Sequence, residues 1–174
     1  NRMSESPSTQ RIGKVMMILA WVIGLLLAVQ WFSGVEERKR NPNQIPESMM
    51  SGDAIEVRLL ANRQGHYLLN GQINGQEVTF LLDTGASFVA IPAAVAQRLQ
   101  LPQGRRFQVS TANGTADSYA TTIDRLDLGD IHLRDIDAGI VPGMGGDDIL
   151  LGMSALQQLE FSQQGGELIL RQYP

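Results

Sequence analysis

The chain has 174 residues, no cysteine and two histidines, and carries a net charge of −4. That length allows one domain with appendages. The absence of cysteine excludes disulfides and thiolate metal sites, and two histidines far apart in sequence argue against a metal centre built on imidazoles. Charge is unevenly spread: from Asn41 onward eight Arg face fifteen Asp plus Glu, a net of −7. An acidic domain is a poor partner for nucleic acid, whose backbone demands a basic surface.

Asn1-Arg2 ahead of Met3 reads as extraneous to the fold, and residues 1–14 form a polar tail. Residues 15–32 are apolar apart from Gln30 and end in Trp31-Phe32. At 1.5 Å per residue this run spans roughly 27 Å, the hydrocarbon thickness of a bilayer. A cleaved signal peptide and a buried core helix compete with this reading. The run is long for the first, and too uniformly apolar for the second in a domain of this size. A single transmembrane helix is therefore expected, with the lipid bilayer as partner of residues 15–32. The flanking charges, Arg2, Arg11 and Lys14 against Arg38, Lys39 and Arg40, tie and choose no orientation. Residues 33–52, charged and then broken by Pro42 and Pro46, read as a linker that holds the following domain, 53–174, off the membrane.

From Ala54 the periodicity becomes that of strands. Residues 55–60 alternate apolar and polar, 66–70 give a second strand, and Asn70-Gly71 and Asn74-Gly75 both signal turns. Residues 78–82 then form an apolar, β-rich run that ends at Asp83-Thr84-Gly85. The carboxyl of Asp83 is thus expected at the mouth of a core strand. There its proton affinity is open to tuning by burial, as acid–base chemistry requires. Thr84 is expected to hold the turn by local hydrogen bonding, and Gly85 to allow close approach. The plain alternative is a strand followed by an ordinary Asp/Gly turn.

Beyond the turn, residues 88–91 read as a strand stopped by Pro92, and 93–99 as a short helix with Pro92 near its first turn. A strand over 105–109 leads into a polar hairpin over 110–120 centred on Asn113-Gly114. This is either a surface hairpin or a mobile flap over a cleft. Residues 123–128 and 131–136 make another hairpin about Gly129-Asp130, and 138–141 a short strand. The segment from Gly143 to Asp148 lacks the Lys-Ser/Thr of a phosphate loop and reads as a flexible acidic loop. Residues 149–152 form an apolar strand closed by glycine, 153–159 a second helix, and 167–171 the last strand.

An apolar strand running into Asp83-Thr84-Gly85-Ala86, a flap-like hairpin, then Leu150-Leu151-Gly152 ahead of a helix resembles the retropepsin-like aspartic proteases. Order and spacing are most similar to the bacterial membrane-anchored members, over roughly residues 54–172. The resemblance implies an all-β fold, a closed β-barrel with one or two short helices, preceded by one N-terminal transmembrane helix. It implies Asp83 as the catalytic aspartate, with Thr84 locking two active-site loops together across a dimer and Gly85 lining the substrate-binding turn. Ala86, Ser87, Asn113 and Gly114 would contact substrate, the last two as the flap tip. Leu150-Leu151-Gly152 would pack around the active-site loop.

Such enzymes need two carboxyls sharing one proton, and this chain has a single Asp-Thr-Gly, so the second must come from another copy. The implied activity is a membrane-anchored aspartic endopeptidase, acting as a homodimer on peptide or protein substrates without cofactor or metal. The implied location is the bacterial inner membrane with the catalytic domain periplasmic. The competing function is a proteolytically inactive binding or assembly domain of the same fold. Viral relatives pair an Asp two residues after the motif glycine with an Arg following the second motif. This chain has Ser87 and Met153 at those positions, so viral dimer contacts and preferences do not transfer.

Overall fold

The computed structural model describes residues 7–111 and 114–174. Two compact units divide the chain, residues 1–39 and 40–174. In the first, α1 (Pro7–Arg40) is one unbroken helix, and Gly13–Arg40 is long and apolar enough by length and composition to cross a membrane. Its apolar side chains, Trp21, Leu25 and Trp31 among them, are exposed, as fits a helix apolar on every side.

The second unit is built from strands β1 (Glu47–Ser51), β2 (Ala54–Leu60), β3 (Leu68–Ile73), β4 (Gln76–Leu82), β5 (Val89–Pro92), β6 (Arg106–Thr111), β7 (Gly114–Leu128), β8 (Ile131–Val141), β9 (Ile149–Leu151), β10 (Glu160–Gln164) and β11 (Glu167–Gln172). Helices α2 (Ala93–Arg98) and α3 (Met153–Leu156) are short. One sheet has the order β1-β2-β11-β10 and the other β3-β4-β9-β5-β8-β7-β6, with a further β3–β7 pairing that closes the larger sheet into a barrel. The expected all-β closed barrel with short helices is therefore present. Its core is the inward face of the alternating strands: Phe80, Leu69, Ile73, Ile91, Ile123, Leu126, Ile136 and Ile149 are fully buried. Each such side chain contributes about 1.5–3 kcal/mol of transfer free energy.

Four local expectations fail for physical reasons. Asn70-Gly71 is not a turn but the middle of β3. A Cβ on Gly71 would lie 2.4 Å from the Asp127 carbonyl oxygen and 2.8 Å from the Phe80 ring, so that glycine serves close packing, and the turn falls at Asn74-Gly75. The strands over 131–136 and 138–141 are one strand, β8. The helix after Gly152 spans only Met153–Leu156, and β10 follows it.

The fourth concerns the linker over 33–52. Helix α1 continues to Arg40, and the residues after it are stitched into the second unit rather than left as a spacer. Asn43 is buried; its Nδ2 donates to the carbonyls of Leu60 (2.9 Å) and Leu68 (2.6 Å), and its Oδ1 accepts from Leu60 N (2.7 Å). Asn41, fully buried, donates to Asn70 Oδ1 (2.8 Å). Strand β1 pairs with β2, and Ser48 Oγ accepts from Asp130 N at the tip of the β7–β8 hairpin. Asparagine side chains can satisfy backbone groups as a strand would. That is how a Pro- and Asn-rich stretch without strand periodicity becomes part of the domain.

Candidate active site

Strand β4 delivers Asp83 to the surface of the barrel. It pairs in parallel with β9, with Leu82 opposite Leu151, and Asp83 N donates to Leu151 O (3.2 Å). The turn that follows is held by Asp83 itself: its Oδ1 accepts from Gly85 N (2.8 Å), and its carbonyl accepts from Ala86 N (3.2 Å). This corrects the local turn-holding expected of Thr84. Thr84 is exposed, and among the described residues no hydrogen bond of its hydroxyl closes the turn. A carboxylate bonding the amide two residues on is the usual Asx arrangement. A Cβ on Gly85 would sit 3.1 Å from that carboxylate oxygen, so the glycine keeps the amide within reach.

Behind this turn, residues 86–88 are clamped to the start of α3. Met153 N donates to Ala86 O (2.8 Å) and Ser154 N to Ser87 O (3.1 Å). Ser154 Oγ accepts from Val89 N (3.0 Å) and donates to Asp137 O (2.7 Å). Backbone bonds and one hydroxyl join the two segments without charge. Gly152 makes the approach feasible, since a Cβ there would fall 2.2 Å from Phe88 O. Sequence reasoning missed Ser154. Its only signal was a hydroxyl two residues after Gly152.

Asp83, Gly85, Ala86 and Ser87 line one side of an open cleft of about 990 Å³. The β6–β7 hairpin supplies another side through Gln108 to Thr111, Thr115 and Ala116, and the loop after β8 a third through Gly143, Met144 and Gly145. Among the described residues lining it, Asp83 is the one titratable side chain. Of the two expected flap-tip residues, Asn113 lies outside the described residues. Gly114 opens β7 with φ +111° and its carbonyl accepts from Thr111 Oγ1 (2.8 Å); it is not among the lining residues. The hairpin expected as a flap thus borders the cleft with its arms. Phe88 and Phe107 meet edge to face (5.3 Å between centroids) at its base.

The histidines lie elsewhere. His66 is exposed and follows the turn over 63–65. His132 Nδ1 sits 2.6 Å from Oδ1 of the buried Asp127, which Arg125 Nε also contacts at 2.9 Å. Glu56, on β2, has its carboxyl held below the usual glutamate range, first by the Arg171 side chain donating to it (2.6 Å), against an opposing effect of burial.

A closed barrel that presents one Asp-Thr-Gly carboxylate in a cleft bordered by a β-hairpin has the architecture of an aspartic protease subunit. Comparison with known proteins agrees. The model of the gag-polyprotein putative aspartyl protease family matches residues 69–158, just over half of the chain. An uncharacterized protein in the cobV 5′ region of Sinorhizobium sp is 30% identical over 94% of this chain and 76% of its own length. The uncharacterized protein RP867 of Rickettsia prowazekii (strain Madrid E) is 28% identical over 74% of this chain and 56% of its own. Among solved structures, a retropepsin-like aspartic protease from Rickettsia conorii superposes with a TM-score of 0.58 at 25% identity, covering 73% of this chain and 95% of that one. The chain belongs to the retropepsin-like aspartic protease family.

Proposed function

We propose that this protein is a membrane-anchored aspartic endopeptidase, active as a homodimer in which each copy contributes Asp83. The observation that carries the reading is the single carboxylate in a cleft of about 990 Å³ with no second acid beside it among the described lining residues. One carboxyl cannot serve as both base and acid in the same step. Two of them, meeting on a twofold axis, share one proton because like charges a few ångströms apart do not both ionise. The ionised member takes a proton from a water lying between them as the water oxygen bonds to the scissile carbonyl carbon, and the protonated member gives its proton to the carbonyl oxygen. Collapse of the resulting diol returns a proton to the leaving amine and breaks the C–N bond.

In this reading Thr84, exposed in the single copy, meets its counterpart and locks the two loops. Gly85, Ala86 and Ser87 form the floor on which the peptide lies, and the β6–β7 hairpin closes over it from the Gly114 end. The apolar part of α1, residues 15–32, spans the bacterial inner membrane and holds the domain in the periplasm. Confinement to a surface raises the effective concentration of copies and favours pairing.

The test is peptide cleavage by the full chain in detergent, wild type against Asp83→Asn, with sedimentation run in parallel. The expected result is that the variant folds and dimerises but cleaves nothing. An Asp83→Asn protein that still cuts peptides, or an active wild-type monomer, overturns the proposal. A wild-type dimer that binds peptides without cutting them favours instead an inactive binding domain.

A further inference from the structure

We propose that Arg40 is a positioning residue for the substrate cleft, acting through Asp148 on the loop over 142–148; the inference rests on the endopeptidase reading above. The loop leaves β8 at Val141 and enters β9 at Ile149. Three of its seven residues are glycine. A Cβ on Gly143, Gly145 or Gly146 would meet nothing within 4 Å, and Gly146 has φ +74°. Such a loop is loosely packed and has many backbone states to lose. Yet Gly143, Met144 and Gly145 line the cleft beside Asp83.

Its order must come from its ends. At the first, Met144 N donates to Val141 O (3.1 Å). At the second, both carboxylate oxygens of Asp148 are taken by one guanidinium: Arg40 Nη1 lies 2.6 Å from Oδ2 and Nη2 3.0 Å from Oδ1. A two-point fork of this kind fixes orientation as well as distance.

Arg40 is itself a fixed post. It closes α1 and begins the second compact unit. Its carbonyl accepts from Asn62 Nδ2 (3.0 Å), and the next residue, Asn41, is fully buried. Within the second unit, the segment starting at Arg40 is thereby tied to the rim of the cleft. A loop ordered before substrate arrives does not charge its ordering entropy to binding. The pair therefore acts on KM and leaves kcat alone, because neither residue touches the reacting atoms. Its side chains are 45% and 27% exposed, so water screens it, and an effect of about threefold is expected.

The experiment uses the full chain in nanodiscs with a fluorogenic peptide, comparing wild type, Arg40→Ala, Asp148→Asn and the exchange Arg40→Asp with Asp148→Arg. Amide hydrogen exchange over 142–150 and thermal unfolding are followed in each. Both single variants are expected to raise KM about threefold at unchanged kcat, to speed exchange in the loop, and to keep the unfolding temperature; the exchanged pair recovers toward wild type. Unchanged KM and exchange in the single variants overturn the proposal. So does a joint fall of kcat and stability that the exchanged pair does not recover, which marks a merely structural contact. Should the wild type cleave no peptide, the endopeptidase reading fails separately, and the exchange measurement alone decides the pair, with an unaltered loop refuting it.

Discussion

Gly152→Ala should disable the site more severely than its conservative appearance suggests. Gly152 has φ −89° and ψ −174°, which alanine adopts without strain, so the cost is steric alone. An added Cβ would lie 2.2 Å from Phe88 O, 2.7 Å from Phe88 C and 2.8 Å from Ala86 O. Real Cβ contacts essentially never fall below 3.0 Å, so Phe88 O must retreat by about 0.8 Å. A shift of that size carries residues 86–88 with it. It stretches the bonds from Met153 N to Ala86 O and Ser154 N to Ser87 O, now 2.8 and 3.1 Å, beyond useful length. Overpacking costs about 1–3 kcal/mol, and two lost hydrogen bonds add about 1 kcal/mol each. A total of about 3–5 kcal/mol corresponds to a fall of about 10–15 °C in Tm for a domain of this size. The assay is thermal unfolding by circular dichroism, with peptide cleavage measured well below the transition. Gly71→Ala is the matched comparison: its Cβ clash with Asp127 O is similar (2.4 Å) but lies outside the cleft lining. It should lose comparable stability while keeping kcat, whereas Gly152→Ala loses both. A Gly152→Ala protein within about 3 °C of wild type and fully active would refute the reasoning from close approach.

Three further outcomes follow from the same kind of argument. Asn43→Ala leaves Leu60 N and the Leu60 and Leu68 carbonyls without their side-chain partner and should cost about 3 kcal/mol in urea unfolding; by the same logic a fragment starting at residue 53 is markedly less stable than one starting at residue 40. Ser154→Ala removes the bridge between Val89 N and Asp137 O and should cost about 1–2 kcal/mol, with Ser154→Thr recovering part of it. Glu56 has a folded-state pKa below its ordinary value of 4.5, so its contribution is present above that value and is lost as pH falls through the lower, folded one. The Tm gap between wild type and Glu56→Gln should accordingly be open at pH 7 and close at pH values well below 4.5; a gap that widens on acidification would contradict the sign.

Much of the barrel was legible because its strands obey a two-residue period and its turns carry glycine. The run into Asp83, the Asn74-Gly75 turn and the Gly129 turn all sit where those signals put them. What misled was chemistry shared by two structural uses. Asn70-Gly71 has the composition of a turn, but its glycine exists to admit the Asp127 carbonyl, a contact 56 positions away that local pattern cannot reveal. Residues 41–51 have the composition of a tether, but Asn43 spends its amide on backbone carbonyls of β2 and β3, and Asn41 donates to the Asn70 side chain on β3. That Asp83 follows directly on a core strand was readable from the apolar run before it. Ser154 and Arg40 were not, because each acts through a partner brought near only by the fold: Asp137 for the serine, Asp148 for the arginine.

Strand β9 is three residues long, yet it lies between β4 and β5, parallel to the first and antiparallel to the second. The two strands flanking the Asp83 turn are therefore not each other's neighbours; a segment some 70 residues downstream separates them. A polypeptide emerging from the ribosome and halted before residue 149 holds every atom of Asp83-Thr84-Gly85 but lacks the wedge between β4 and β5. Pairings of such long sequence separation close late. A nascent chain is thus without a shaped cleft beside Asp83 until residues 149–151 have been made and have paired between β4 and β5.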